Sequence, residues 1–281
     1  MTAFVRVASG IERRPWIGSP RHALRRAITR HPSVYLPLAR WKQPNSVLSA
    51  RTRLVLDGFT RSAGTFGAIA FQLAQNDHVA LAHHMHASAP LVVAARHGVP
   101  VIVTVREPEP TIVSALIREP RVTPAQWLKT YAAFYESLAP YRDRFVIATF
   151  EEMTSDFGEV IQRANDRFGT RFRPFEHTPG NVQVVFDLID ERAEGPPWQP
   201  HINRFISGLI SFDEYRTATR GSREIPSERN GVPEFRVQRP SHARESAKAG
   251  VRERYRAPVL AELRTRADEA YGGLVGSGGV R

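Results

Sequence analysis

Residues 54–66, LVLDGFTRSAGTF, decide the fold of this chain. A short apolar run enters a loop of Gly58, Thr60, Arg61, Ser62, Ala63, Gly64 and Thr65, and the apolar, helix-compatible FGAIAFQLA follows at once. The order predicts a strand, an anion-binding loop and a helix. Small residues let backbone amides approach a ligand, a helix start offers unpaired N–H groups at a positive dipole end, and Arg61, Ser62 and Thr65 add side-chain donors. The loop is not a Walker motif, because Gly64 is followed by Thr65 with no lysine between them.

A second stretch, VIVTVREPEPTIVSAL at 101–116, again ends an apolar run with a cation, Arg106, and places Ser114 eight residues later. Two separate anion elements predict a nucleotide with two anionic groups. Around them strands and helices alternate: RLVLDGF, TFGAIAFQLAQN, HVALAHH, APLVVAARHG and VPVIVTV, then TPAQWLKTYAAFYESLAP, RFVIATF and DFGEVIQRANDRFG. Apolar runs without polar alternation belong to strands covered on both faces, so the expected class is α/β, a parallel sheet flanked by helices. Ligands of such sheets collect at the carboxyl ends of the strands, where the 58–65 loop, the HHMH segment and Arg106 all fall.

In these residues the chain resembles the sulfotransferases that use 3′-phosphoadenosine 5′-phosphosulfate (PAPS). Their 5′-phosphosulfate loop is similar to Thr60, Arg61, Ser62, Ala63, Gly64, Thr65, and their 3′-phosphate motif has the Arg106 and Ser114 pair at the same spacing. The acidic segment Phe150, Glu151, Glu152, Met153 resembles a third family stretch, so the likeness covers residues 52–170. Two departures stand out. Ala63 and Gly64 occupy places where the family has Gly and then a hydroxyl or amide residue. The family's tryptophan-containing C-terminal segment is absent, with RVQRPSHARESAK in its stead, whose Arg239, Ser241, Arg244 and Lys248 are expected to replace its phosphate contacts.

The resemblance implies a P-loop-NTPase-like sulfotransferase fold and transfer of a sulfuryl group from PAPS to a hydroxyl, leaving 3′-phosphoadenosine 5′-phosphate, with no metal. It implies nucleotide contacts from Arg61, Ser62, Ala63, Gly64, Thr65, Phe66, Arg106, Ser114 and Arg239. It also implies that His86, which ends the His84, Met85, His86 run, is the general base, although His84 stays open as the alternative. Arg61 stands for the family's loop lysine and, because a guanidinium keeps its proton, stabilises the leaving oxygen rather than protonating it. If the strand persisted through the histidines, His84 and His86 would share one face and His83 would point away.

Composition narrows the rest. At 281 residues with 42% hydrophobic and 24% charged side chains, the chain can bury a sizeable core, and no apolar stretch approaches a membrane span. It has no cysteine, which excludes disulfides and thiolate chemistry. A cytoplasmic, bacterial protein is expected. Of the net charge of +11, residues 1–56 carry +10, with Glu12 their one acid, and RRPWIGSPRHALRRAITR interleaves arginines with Trp16, as PLARWK does with Trp41. Residues 1–50 are therefore expected to be a basic arm, packed on or appended to one α/β domain at 51–281. That arm suits an anionic surface or simply solvates a helix on the core. Residues 173–235 read as a long irregular region with short helices that shapes an acceptor site for a small-molecule, lipid or glycan hydroxyl. The 216–235 part also fits disorder, and the GGLVGSGGVR terminus is expected to fray. Nucleic acid is not the expected partner. The rival readings are a nucleotide-dependent kinase or phosphotransferase using the same loop, and a nucleic-acid or membrane-surface binding protein acting through the basic arm.

Overall fold

The computed structural model describes residues 20–194, 198–223 and 242–276. Its centre is a parallel four-stranded sheet of β1 (Leu54–Gly58), β2 (Leu81–His83), β3 (Val101–Val105) and β4 (Val146–Thr149), in the order β2-β1-β3-β4. The register pairs Leu56 with His83 on one side and with Ile102 on the other, and Ile102 in turn with Val146. The strands are short and buried, and alternate side chains feed opposite faces. Val55, Val101, Val103 and Val105 face one core, while Leu54, Leu56, Ile102, Val146 and Ala148 face the other.

Helices α1 (Pro20–Ile28), α2 (Pro32–Lys42), α3 (Gly64–Ala74), α4 (Ser88–Arg96), α5 (Pro108–Arg118) and α6 (Pro124–Leu138) precede β4. After it come α7 (Phe150–Ser155), α8 (Phe157–Phe168), α9 (Pro179–Glu194), α10 (Trp198–Ile206), α11 (Phe212–Arg223), α12 (His242–Arg256) and α13 (Ala261–Val275). Starts are marked chemically. Thr123 with Gln126 and Thr149 with Glu152 form reciprocal capping boxes that satisfy the first amides of α6 and α7. Glu152 also pairs with Arg163 at 2.8 Å, which makes that acidic segment structural.

The chain leaves β1 to one side for β2 and returns across it to β3, so the reversal in strand order falls between β1 and β3. Those strands approach closely at Gly58, where a Cβ would lie 2.1 Å from the Thr104 carbonyl oxygen. Any other residue would force the strands apart at the point where the site begins.

Two expectations need correction. The region 173–235 is less irregular than expected: its short helices α9, α10 and α11 fill most of the described part, and Val185, Leu188 and Ile189, then Ile202, Phe205 and Ile206, repeat at helical spacing and are buried. Of the 216–235 stretch, part of which fits disorder, residues 216–223 belong to α11 and 224–235 lie outside the described residues. The terminal glycines 272 and 273 lie inside α13, which is held by fully buried Leu274 and by Arg142 donating to the Leu274 carbonyl at 2.7 Å. Arg239 and Ser241 lie outside the described residues.

From Pro20 onward the basic arm is packed. Tyr35 donates to the Met85 carbonyl at 2.8 Å, the Ser46 carbonyl accepts from His83, and Leu36 is buried. The arm still shows apolar surface, with Leu24, Val34, Leu38 and Trp41 exposed. Among the described residues no helix is long and apolar enough to cross a membrane.

Candidate functional site

A cavity of about 880 Å³ opens at the carboxyl ends of β1, β2 and β3. Among the described residues its lining carries Arg26, Lys42, Arg61, Arg106, Arg118, Arg192 and Lys248 against one carboxylate, Glu119. With so few acids to neutralise them, these cations make the cavity attractive to anions.

Its floor is the loop from β1 into α3. Arg61 and Ala63 take left-handed backbone angles, φ 70° and 66°, and Ala63 is the N-cap of α3 with no side-chain cap bond. No acceptor among the described residues meets the N–H groups of Gly64, Thr65 and Phe66. Open amides at a helix start beside cations form an anion cradle. Arg61 Nε donates to Ser114 Oγ at 2.8 Å, and Arg106 Nη1 donates to the Arg61 carbonyl at 3.2 Å. The two sequence-distant anion elements thus meet in one place. The Arg106 guanidinium lies over the Phe150 ring, 3.8 Å from its centroid, and Tyr131 fixes the Arg106 carbonyl at 2.5 Å. Arg106 pairs with neither neighbouring glutamate; Glu109 turns to Arg252 and Arg256.

One expected contact sits differently. Ser62 is buried, its hydroxyl donating to the Phe59 carbonyl at 2.5 Å and lying 2.7 Å from Thr104 Oγ1, so its side chain points into the sheet and not into the cavity. Phe66 lines the cavity at its edge, with its ring packed against Phe175, His177 and Phe186.

The wall beyond β2 holds the histidines, and here alternation fails because the strand ends at His83. His84 and His86 are both left-handed, φ 55° and 48°, and all three rings line the cavity. Asp57, buried near the end of β1, organises this turn. It accepts from the Gly58 N–H at 2.8 Å, the Met85 N–H at 2.7 Å and the His86 N–H at 3.0 Å, and its Oδ1 lies 3.4 Å from His86 Nδ1. His86 Nδ1 is 3.0 Å from the Gly58 carbonyl. A carbonyl only accepts, so Nδ1 carries the proton and Nε2 keeps its lone pair.

His84 is tied down. Its Nε2 is 3.4 Å from Arg192 Nη1 and 2.8 Å from Thr65 Oγ1, and its Nδ1 is 2.5 Å from His83 Nδ1. Because arginine only donates, His84 Nε2 accepts, His84 Nδ1–H donates to His83, and His83 Nε2–H donates to Ser207 Oγ at 3.1 Å. Burial and then the Arg192 charge pull His83 down to about 3 and hold His84 well below the usual histidine range, so both stay neutral.

The sequence reading missed Asp57, Phe150 as a platform for Arg106, and Arg192. An aspartate inside LVLDG was a visible signal, since a carboxylate in a buried strand needs partners. Arg192 sits in an unremarkable helical segment with no local signature. No family model, curated protein or solved structure matches this chain.

Proposed function

We propose that this protein is a PAPS-dependent sulfotransferase of P-loop-like fold, acting on a hydroxyl-bearing small-molecule, lipid or glycan acceptor. The observation that carries the reading is the convergence of Arg61, Arg106 and Ser114 with the open N-terminus of α3 in one cation-rich cavity at the β1/β3 switch. The Gly64–Phe66 amides and Thr65 take the 5′-phosphosulfate, while Arg106 and Ser114 take the 3′-phosphate, with Phe150 beneath the arginine. The acceptor oxygen attacks sulfur, its proton passes to His86 Nε2, and the bond from sulfur to the bridging oxygen breaks. 3′-Phosphoadenosine 5′-phosphate leaves with its new charge stabilised by Arg61. Asp57 holds His86 in the required tautomer. His84 is the weaker base candidate, because its Nε2 lone pair is engaged and its affinity for a proton is depressed. In this reading no metal takes part, since a sulfuryl group carries less charge than a phosphoryl group.

Calorimetric titration with 3′-phosphoadenosine 5′-phosphate, against AMP and magnesium-ATP, tests it. Binding that requires the 3′-phosphate supports the reading. Preference for ATP would favour the kinase alternative, and no nucleotide binding would overturn both. H86A is expected to abolish turnover, a loss of about 10²–10⁴, with nucleotide affinity retained.

A second feature concerns the partner surface. Leu24, Val34, Leu38 and Trp41 are exposed on α1 and α2, helices with no acidic residue, beside the cavity mouth that Arg26 and Lys42 line. This combination fits peripheral contact with an anionic membrane surface. Co-sedimentation with phosphatidylglycerol vesicles that W41A does not weaken would count against it.

A further inference from the structure

The cavity has cations on both sides of the α3 N-terminus, and they are held in different ways. On the β3 side Arg61 and Arg106 hold each other, Ser114 and the Phe150 ring. On the β2 side stands Arg192 of α9, largely buried, with its Nε fixed by Asn203 Oδ1 at 3.1 Å and its Nη1 resting on the neutral His84 ring. No carboxylate lies within ion-pair distance of it among the described residues. Arg118, also in the lining, has no hydrogen-bond or ion-pair partner among the described residues, and its charge acts unfavourably on Arg192. Burial, and then Arg118, lower Arg192 to about 10. Burying a guanidinium without an anion is costly, and a second like charge raises that cost.

Asn203 orients the guanidinium through Nε, and Nη2 has no partner among the described residues. The histidines across from it cannot balance its charge, being neutral or positive at any pH. A negative group entering the cavity can.

We propose that Arg192, on the β2 side of the cavity, forms a second anion subsite apart from the Arg61–Arg106–Ser114 cluster, with Arg118 adding its charge from the end of α5, and that it takes a carboxylate, sulfate or phosphate carried by the acceptor. The acceptor assignment rests on the sulfotransferase reading; the existence of a second anion subsite does not. The subsite lies on the side of the histidines, where the acceptor hydroxyl must reach His86, so the acceptor is a hydroxyl compound that bears an anionic group. Such a subsite positions the hydroxyl by an interaction made before any bond changes.

The test uses the full chain and inorganic phosphate as probe, titrated calorimetrically with and without saturating 3′-phosphoadenosine 5′-phosphate. The nucleotide-saturated protein is expected to retain one phosphate site. R192Q weakens that site about tenfold or more, R192K keeps it within about threefold, and R118Q weakens it about twofold, while nucleotide affinity changes less than about twofold in each. Phosphate affinity unchanged in R192Q, or nucleotide affinity falling as far as phosphate affinity, overturns the proposal. Should R192Q fail to fold, N203D replaces it: the new carboxylate keeps the hydrogen bond and neutralises the guanidinium, and it too is expected to abolish the site. If the nucleotide does not bind at all, the sulfotransferase reading fails and the subsite is judged in the nucleotide-free protein. There, two phosphate sites removed separately by R192Q and R106Q support it, and one site lost in R106Q alone or in both variants overturns it.

Discussion

The loop that leaves β1 and the turn that leaves β2 begin on neighbouring parallel strands, bend through two left-handed non-glycine residues each, and end at a helix start. Their amides meet opposite fates. After β1, α3 begins at Ala63 without a side-chain cap, and the N–H groups of Gly64, Thr65 and Phe66, residues of the cavity lining, meet no acceptor among the described residues. After β2, the Met85 and His86 amides close on Asp57, and the Ala89 amide of α4 closes on the Thr29 carbonyl. The same backbone device thus produces an anion cradle in one place and a set of oriented, neutral imidazoles in the other. Asp57 makes the difference, because it sits at the end of the first strand and spends its acceptors on the turn after the second. Such left-handed positions cost about 1–2 kcal/mol each in an L-residue and persist only where the surroundings enforce them.

Removing that carboxylate should break the comparison most severely. D57A strands three buried N–H groups and the back of His86, and the expected loss is about 3–5 kcal/mol in urea unfolding, a large part of the stability of an ordinary domain. D57N keeps the shape but offers one acceptor where two are used, so a smaller loss is expected, with the β2 turn disturbed more than the β1 loop. Hydrogen exchange at Met85 and His86 against that at Gly64–Phe66 reads the distinction. Equal protection changes in both segments would refute the division of labour.

Next in size is the nucleotide side. Arg106 secures the Arg61 carbonyl as well as facing the proposed 3′-phosphate. R106A is expected to lower affinity for 3′-phosphoadenosine 5′-phosphate about 30- to 100-fold, the effect of losing a charge-assisted contact of about 2–3 kcal/mol. The β2 turn should remain unaffected, so the exchange rates of its amides are the control.

Acid acts on the histidine side. His83 is buried neutral, with a folded-state value lowered from 6.5 to about 3, so the unfolded chain binds its proton first as pH falls. Stability from this group is therefore fully present above pH 6.5, declines through the interval down to about 3, and is level below it. Between pH 6.5 and 5, where few carboxylates titrate, urea unfolding of the wild type should lose stability at up to about 1.4 kcal/mol per pH unit from this residue. H83Q is expected to flatten that slope. An unchanged slope would mean that His83 takes up its proton in the folded state.

These effects also show what the linear sequence could convey. Strands 54–58 and 101–105 were legible because each opens on three successive branched aliphatic residues, Leu54–Leu56 and Val101–Val103, which fit a strand buried on both faces. The β1 loop was legible because glycine, threonine and arginine in a row have a direct meaning for anions. The β2 turn was not: alternation placed His83 apart from His84, whereas the bend after His83 brings their rings within hydrogen-bond reach. Nothing in HHMH announces that bend, which Asp57 imposes from a residue 28 positions earlier. Helix α9 was hidden for another reason. Its buried Val185, Leu188 and Ile189 are diluted by polar neighbours, and its importance comes from one arginine that reaches the cavity through tertiary packing.

The smallest expected effect asks whether the β1 loop is strained at Ala63. Its φ of 66° and ψ of 12° belong to a region that glycine enters without penalty, and the resembled loops have glycine there. A63G relieves about 1–2 kcal/mol of left-handed strain in the folded state. It also removes a methyl group that packs at the edge of the α3-side core, worth up to about 0.8 kcal/mol, and gives the unfolded chain more freedom. The net gain should be about 0.5 kcal/mol, a rise in melting temperature of about 1–2 °C, with nucleotide affinity within about twofold of the wild type. Arg61, at φ 70°, supplies the counterpart. R61G relieves similar strain but deletes the guanidinium, so stability should hold while nucleotide affinity falls. A loss of stability in A63G would show that the packed methyl outweighs the strain, and that the β1 loop is held by its contacts with the core more than by the helix start it introduces.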